Sequence, residues 1–371
     1  MDTSATVDAN RGAVRVVRAN GVETTPRNRM EYRTLGRTGV KVSPLCLGAM
    51  MFGAWGNRDH DDSIRIIHRA LDAGINFVDT ADVYAQGESE EIVGRALQGR
   101  RDSVVLATKA HGKMGDGKDP NTEGNSRRWI IKEVENSLRR LKTDWIDLYQ
   151  MHRPDPSTEV EETLRALDDL ISQGKIRYAG SSTFPASEIV EAQWCARDRH
   201  ITRFVTEQPP YSMLVRNIEA DVLPVCQRYE MGVLTWSPLA GGWLSGKWRK
   251  GKETPHSARA DRLPQRYDLS RPENQRKLDA ADALAQLAEK AGMSLIHLAI
   301  AFVIKHPAVT SAIIGPRTME QLESQLGAAD VKLDTQMLDG IDQIVPPGTS
   351  FSPSDIGWQN PALAPQARRR A

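Results

Sequence analysis

Three cysteines in 371 residues are too few for a disulfide framework. Cys46, Cys195 and Cys226 show no CxxC spacing and lie in apolar or helical contexts, which predicts reduced, structural thiols in a cytoplasmic protein. No apolar run approaches the roughly 18 residues that a membrane helix requires. Neither sign of charge is in excess: Lys+Arg 49 against Asp+Glu 48 leaves a net charge of +1. That balance indicates neither a nucleic-acid footprint nor a polyacidic surface. The 8 histidines form no HxH or HExxH cluster, so no metal site is expected and a metal-dependent hydrolase is disfavoured. The first thirty residues carry arginines but no hydrophobic segment, and do not read as a secretory signal. No internal repeat or low-complexity stretch stands out.

What is present is a regular alternation. An apolar share of 40% is enough for a core. Short β-type runs occur at LCLGAMMF, INFVDT, SVVLATK, IDLYQMH, IRYAGSS, RFVTEQP, GVLTWSP and TSAIIG. Helical patterns such as SIRIIHRALDAG and SRRWIIKEVENSLRRL separate them, and Gly74 and Gly174 stand where left-handed C-caps are expected. Strand alternating with helix argues a parallel sheet, and eight such units argue an α/β fold of the closed (β/α)8 TIM-barrel type. LGAMMFGAWG lacks the GxGxxG spacing, so an open dinucleotide-binding sheet fits poorly. Ahead of the first run, EYRTLGRTGVKVSP reads as a capping hairpin with Gly39 at its turn. After the seventh run, Trp236 to about Asn274 is a long glycine-rich and basic loop, of a length that is usually functional. The expected division is a disordered extension over 1–30, a barrel over 31–346 and a C-terminal coil over 347–371, in which Phe351 and Trp358 suggest packing. The basic ending Arg368-Arg369-Arg370 reads as solvated tail.

Four polar residues are expected at four successive strand ends: Asp79 and Tyr84 in FVDTADVY, Lys109 in VVLATK and His152 in DLYQMH. In a parallel barrel, the carboxyl ends of the strands converge on one face. A tyrosine, with an unperturbed pKa of about 10, is a poor acid at neutral pH unless a nearby ammonium stabilises its phenolate. Lys109 can do that, Asp79 can keep Lys109 charged, and His152 can donate a hydrogen bond to the same carbonyl oxygen. Such a set can protonate a carbonyl while a hydride donor attacks its carbon.

The segments LGRTGVKVSPLCLGAMMFG, INFVDTADVYAQGESEEIVGRAL, IDLYQMHRPDP, GKIRYAGSS, WSPLAGGWLSGK and GPRTMEQLESQLGA resemble the aldo-keto reductases. The likeness is to the branch of bacterial reductases and potassium-channel β subunits, and covers about Tyr32 to Ile344. It implies Asp79, Tyr84, Lys109 and His152 as a catalytic tetrad with Tyr84 as general acid, and NADPH/NADP+ as cofactor. It further implies Ser182 and Gln208 as contacts of the nicotinamide carboxamide, with Thr183 where the family usually has Asn. Ser237, Leu239, Gly241 and Lys247 resemble its pyrophosphate clasp, a glycine-rich loop whose N–H groups suit phosphates. Gly315, Arg317, Gln321 and Gln325 match adenosine-end positions, with Gln325 replacing a common Asn. A guanidinium at Arg317 suits a 2′-phosphate or an adenine face, which favours NADP over NAD. Tyr211 reads either as an aromatic on the nicotinamide or as one moved away by the following loop.

Taken singly, these residues have duller explanations. An Asp after a strand is commonly an Asx turn or a helix N-cap, and a Lys there is commonly a surface charge. Their joint placement favours function. Trp55 reads equally as a substrate-pocket wall or as a core aromatic, while Trp129, which opens a helix, reads as packing. The favoured function is reduction of an aldehyde or ketone to an alcohol, with a small-molecule carbonyl as partner and no nucleic acid or membrane. The alternative is a nicotinamide-binding sensor subunit with little turnover. A lyase with Lys109 as Schiff-base nucleophile ranks last. Substrate identity and oligomeric state are not legible.

Overall fold

The computed structural model describes residues 30–369; the expected extension over 1–30 lies outside them except for Met30, as does Arg370 of the basic ending. The first elements are β1 (Arg33–Thr34) and β2 (Lys41–Val42), paired antiparallel. Eight parallel strands follow: β3 (Leu45–Gly48), β4 (Phe77–Asp79), β5 (Val105–Ala110), β6 (Ile146–Met151), β7 (Ile176–Ser181), β8 (Phe204–Glu207), β9 (Gly232–Trp236) and β10 (Val309–Ile314). They pair in chain order, and β10 closes onto β3. Each of the eight apolar runs is therefore a barrel strand, and the closed (β/α)8 barrel is the fold.

Helices α1 (His60–Asp72), α2 (Glu88–Ala96), α3 (Arg127–Leu141), α4 (Val160–Ser172), α5 (Ala186–Arg199) and α6 (Val222–Arg228) follow β3 to β8 in turn. After β9 come α7 (Ala258–Arg262), α8 (Pro272–Lys290) and α9 (Leu295–Lys305); α10 (Met319–Leu326) follows β10, and α11 (Thr335–Ile344) and α12 (Pro365–Arg368) end the chain. Side-chain caps start several of these helices: Asp59 accepts from the Asp61 and Asp62 N–H groups, Ser126 from Trp129, and Thr318 from Gln321. Each such cap is worth about 1 kcal/mol. Gly74 (φ 97) and Gly174 (φ 73) are left-handed, as expected of helix terminators. Among the described residues, no single helix is long and apolar enough to cross a membrane.

Two apolar layers hold the barrel. The larger lies between strands and helices; the smaller fills the barrel interior with Cys46, Phe77, Ala107, Leu148, Leu234 and Ile313, closed from below by Leu35 and Val42 of the hairpin region. Gly39 lies in the hairpin turn as expected, but the left-handed residue is Gly36 (φ 55), where a Cβ would stand 2.6 Å from the Gly232 nitrogen. Only glycine lets the hairpin press onto the barrel floor at that point.

The expected long loop after β9 is an ordered strap. It contains α7 and helical turns at Ala240–Gly242 and Pro264–Arg266, around a stack of Trp243, Trp248 and Tyr267 with ring centroids 4.0 to 5.9 Å apart. The C-terminal segment lies against it: Asp355 pairs with Arg266 at 2.6 Å and with buried Lys277 at 2.8 Å. Phe351 packs on the main core.

Candidate active site

Strand alternation places the site. Successive side chains point to opposite faces of the sheet, so residues two positions past an interior side chain also face the barrel axis. Phe77, Ala107, Leu148 and Leu234 line the interior; two positions further on stand Asp79, Lys109, Gln150 and Trp236. Above the apolar plug there is thus a polar group at the carboxyl ends of β4, β5 and β6, with the Trp236 indole at the end of β9. His152 continues the β6 alternation one residue past the strand end.

Lys109 is fully buried. Its Nζ donates to Asp79 Oδ1 at 2.5 Å and to the Thr80 carbonyl at 2.7 Å, and lies 3.4 Å from the Tyr84 hydroxyl. Burial pulls this ammonium down, but the Asp79 carboxylate and the Tyr84 oxygen outweigh it and hold its pKa above the ordinary lysine range. Asp79 Oδ2 in turn accepts from Gln150 Nε2 (3.2 Å) and Gln208 Nε2 (2.9 Å), so both carboxylate oxygens are engaged. The charge pair is therefore buried, hydrogen-bonded and fixed.

Tyr84 corrects one expectation: it does not end a strand. It opens a helical turn, Tyr84–Gly87, beyond β4, so the four residues come from three strand ends and one loop. Ala85 (φ 50) and Gln86 (φ 58) are both left-handed, a strained arrangement that turns the loop back over the barrel mouth. The Tyr84 ring meets His152 edge-on at 5.7 Å and lies 6.0 Å from Trp55. Burial, then the Arg153, Lys109 and His111 charges, hold the His152 pKa well below the ordinary histidine value. The imidazole is accordingly neutral near pH 7, with one N–H to donate. Trp55 is half-buried and faces Tyr84 on one side and the Arg262 guanidinium, 5.0 Å from its ring, on the other. That places it at the mouth, whereas Trp129 is a buried core residue.

Of the expected cofactor positions, Ser182 and Gln208 sit beside the tetrad. Ser182 Oγ donates to the Gln208 carbonyl at 2.9 Å. Gln208 Nε2 is committed to Asp79 and to Gln150 Oε1, which leaves its own Oε1 to accept from an incoming amide. In the strap, Ser237 (φ 59) is left-handed, and after Pro238 and Leu239 so are the consecutive Ala240 (φ 49), Gly241 (φ 69) and Gly242 (φ 103). Among the described residues, the Leu239 and Gly241 N–H groups have no protein acceptor. That concavity, with no side chain at Gly241, suits an anion. Lys247 is exposed nearby in sequence and pairs with no carboxylate among the described residues. On the neighbouring strand, Gly315 follows β10 and the Arg317 guanidinium likewise has no acidic partner among the described residues. Gln321 Oε1 is spent on the Arg317 N–H at 2.8 Å, and Gln325 Nε2 on the Gln321 carbonyl at 2.8 Å, so these two shape the turn with those atoms. Tyr211 is buried, its hydroxyl bonded to Glu219 at 2.7 Å and its ring against Phe302, which favours the moved-away reading.

Several residues escaped the sequence reading. Gln150 was detectable, since it stands two positions before His152 on an inward-facing alternation. Trp236, at the end of β9, packs on the interior layer and meets Gly357 of the C-terminal segment, where a Cβ would lie 2.6 Å from the indole. Arg259 is less legible among the strap's many basic residues. It pairs with no carboxylate among the described residues, and its Nη1 lies 3.6 Å from where a Cβ would stand at Gly241. Burial, with Arg266 and Arg262 nearby, lowers its pKa, and an uncompensated cation of this kind suits an anionic ligand.

Residues 44–346 match the model of the aldo/keto reductase family. The chain is 40% identical to an uncharacterized oxidoreductase of Bacillus subtilis, YrpG, over 89% of its own length and 100% of that protein's. It is 37% identical to a probable voltage-gated potassium channel subunit beta of Arabidopsis thaliana, over 85% of this chain and 97% of that one. A B. subtilis protein named aldo-keto reductase YhdN is also 37% identical, over 80% and 87% of the two chains.

Proposed function

This chain belongs to the aldo/keto reductase family, and on that premise we propose that it reduces an aldehyde or ketone to an alcohol with NADPH, Tyr84 being the proton donor. The observation that carries this reading is the Lys109 ammonium, held at 2.5 Å by Asp79 and 3.4 Å from the Tyr84 hydroxyl. The donor set suits the cofactor. Gln208 Oε1 and Ser182 would hold the carboxamide, the Leu239 and Gly241 N–H groups with Ser237, Lys247 and Arg259 the pyrophosphate, and Gly315, Arg317, Gln321 and Gln325 the adenosine end. When bound, the reduced nicotinamide supplies a hydride. The chain does the rest. Tyr84 donates its proton to the carbonyl oxygen, and Lys109 stabilises the phenolate left behind. Asp79 keeps Lys109 charged, neutral His152 offers an N–H to the same oxygen, and Trp55 walls the mouth. Residues 31–346 form the reductase unit in this reading, with 347–371 a tail laid on it.

Fluorescence titration with NADPH and NADH, followed by loss of 340 nm absorbance with a panel of carbonyls, tests it. Tight binding with turnover is the expected result; no binding of either nucleotide would overturn it. Likeness to a protein named as a channel β subunit favours a second reading, a cofactor-occupied sensor, which predicts tight retention with little turnover on every carbonyl tried. Arg317 supplies a separate check. Arg317→Ala is expected to weaken NADPH by about 10- to 100-fold, the worth of a charge-assisted hydrogen bond, and NADH by less than about threefold. Equal losses for both would remove Arg317 from 2′-phosphate recognition.

A further inference from the structure

Glu207 is a carboxyl group in the apolar layer between barrel and helices, fully buried, and the proposed reaction gives it no part. It ends β8 and precedes Gln208, which faces Asp79 inside the barrel, so alternation turns Glu207 away from the barrel axis. There its Oε2 accepts from Ser181 Oγ, and its Oε1 accepts from the Phe184 N–H at 3.1 Å. Those donors flank Ser182 and Thr183. Thr183 is left-handed at φ 62, a conformation that a β-branched residue rarely adopts. The turn is also tied to the residue just past β8 by the Thr183 N–H on the Gln208 carbonyl at 3.2 Å and by Ser182 Oγ on the same carbonyl.

We infer that Glu207 is a positioning residue: its carboxyl clamps the Ser181–Phe184 turn in its strained form and so fixes Ser182 and Thr183 for the nicotinamide carboxamide. This rests on the function proposed above. A buried carboxyl here is otherwise a cost, because an apolar side chain would fill the same layer without desolvation. The clamp replaces what the local sequence cannot supply, since threonine does not hold a left-handed turn by itself.

Burial pushes the Glu207 pKa up to about 7, against the Ser181 hydroxyl, the Phe184 and Thr183 N–H groups and the Arg153 charge, all of which favour the anion. On α6, the buried Cys226 thiol is near enough for the Glu207 charge to push its pKa up further. The sign follows. Below about pH 7 the carboxyl is neutral and the clamp weak; above it the anion accepts stronger, charge-assisted hydrogen bonds and the turn tightens.

The test compares wild type with Glu207→Gln and Glu207→Ala, reading NADPH dissociation constants from pH 6 to 8, kcat at saturating cofactor, and hydrogen exchange of the Phe184 amide. Expected for Glu207→Ala are about tenfold weaker NADPH binding, kcat within about threefold, and faster exchange at Phe184. In Glu207→Gln, which keeps shape without charge, the affinity gap to wild type should widen as pH rises through 7. Titration of the 2′-phosphate is common to both proteins and cancels. If Glu207→Ala does not fold, the glutamine variant decides. Wild-type affinity, pH profile and exchange in the variants would overturn the clamp alone. Failure of wild type to bind any nicotinamide nucleotide would overturn the functional reading and this inference together.

Discussion

Tyr84→Phe is expected to lower kcat by about 10²- to 10⁴-fold, the range for a lost general acid, while leaving NADPH affinity within about twofold. The barrier would rise by about 3 to 5 kcal/mol. Nothing else should change much. The phenyl ring keeps its edge-on contact with His152 and its place beside Trp55. Lys109 keeps Asp79 and the Thr80 carbonyl, so no buried charge is orphaned when the hydroxyl goes. Stability should therefore stay within about 0.5 kcal/mol of wild type. Single-turnover absorbance at 340 nm with saturating carbonyl separates chemistry from binding. Full kcat in this variant would end the proton-donor assignment; a loss confined to cofactor affinity would reassign Tyr84 to binding.

Lys109→Met tests a different link, and both stability and turnover should respond. Removing the ammonium leaves the Asp79 carboxylate buried without its counter-charge, which costs about 3 to 5 kcal/mol when one partner of a buried pair is removed. The two amides on Oδ2, from Gln150 and Gln208, should keep the loss near the lower end. Turnover should fall at least 10²-fold, because the Tyr84 phenolate loses its stabilising charge. The double variant Asp79→Asn/Lys109→Met separates the two effects. It removes both charges, so denaturant unfolding should show most of the stability restored, while kcat stays low. Recovery of activity along with stability would show that the pair serves the fold and not the chemistry. Unchanged stability in the single variant would contradict the burial of the pair.

Much of the site was legible because its residues announce themselves locally. Asp79, Lys109 and His152 each end an apolar run, and chain order alone puts the β4, β5 and β6 ends side by side in a parallel barrel. Tyr84 was legible as a residue but misplaced as an element. Nothing in DVYAQG distinguishes a strand end from a turn, and the two left-handed residues after Tyr84 are not glycines. Trp55 stayed open for a similar reason: indole suits both a core and a pocket, and only its neighbours Tyr84 and Arg262 decide. Arg259 was hidden among the strap's other arginines, whose sequence lacks any period that would say which one turns inward.

By itself, then, the sequence determined the eight strand–helix units, the hairpin before them, the order in which polar residues reach the barrel mouth, and family membership. These depend on short-range regularities: a period of two in strands, 3.6 in helices, and glycine where helices such as α1 and α4 terminate. Tertiary structure alone decided the rest. It set the 3.4 Å between Lys109 and Tyr84, the partners of both Asp79 oxygens, the fastening of the strap by Asp355, and the burial of Glu207 beneath the Thr183 turn. The physical reason is range. Pattern reports which face a side chain takes, whereas charge pairing, desolvation and strain depend on distances between segments far apart in the chain, which exist only once the barrel has closed.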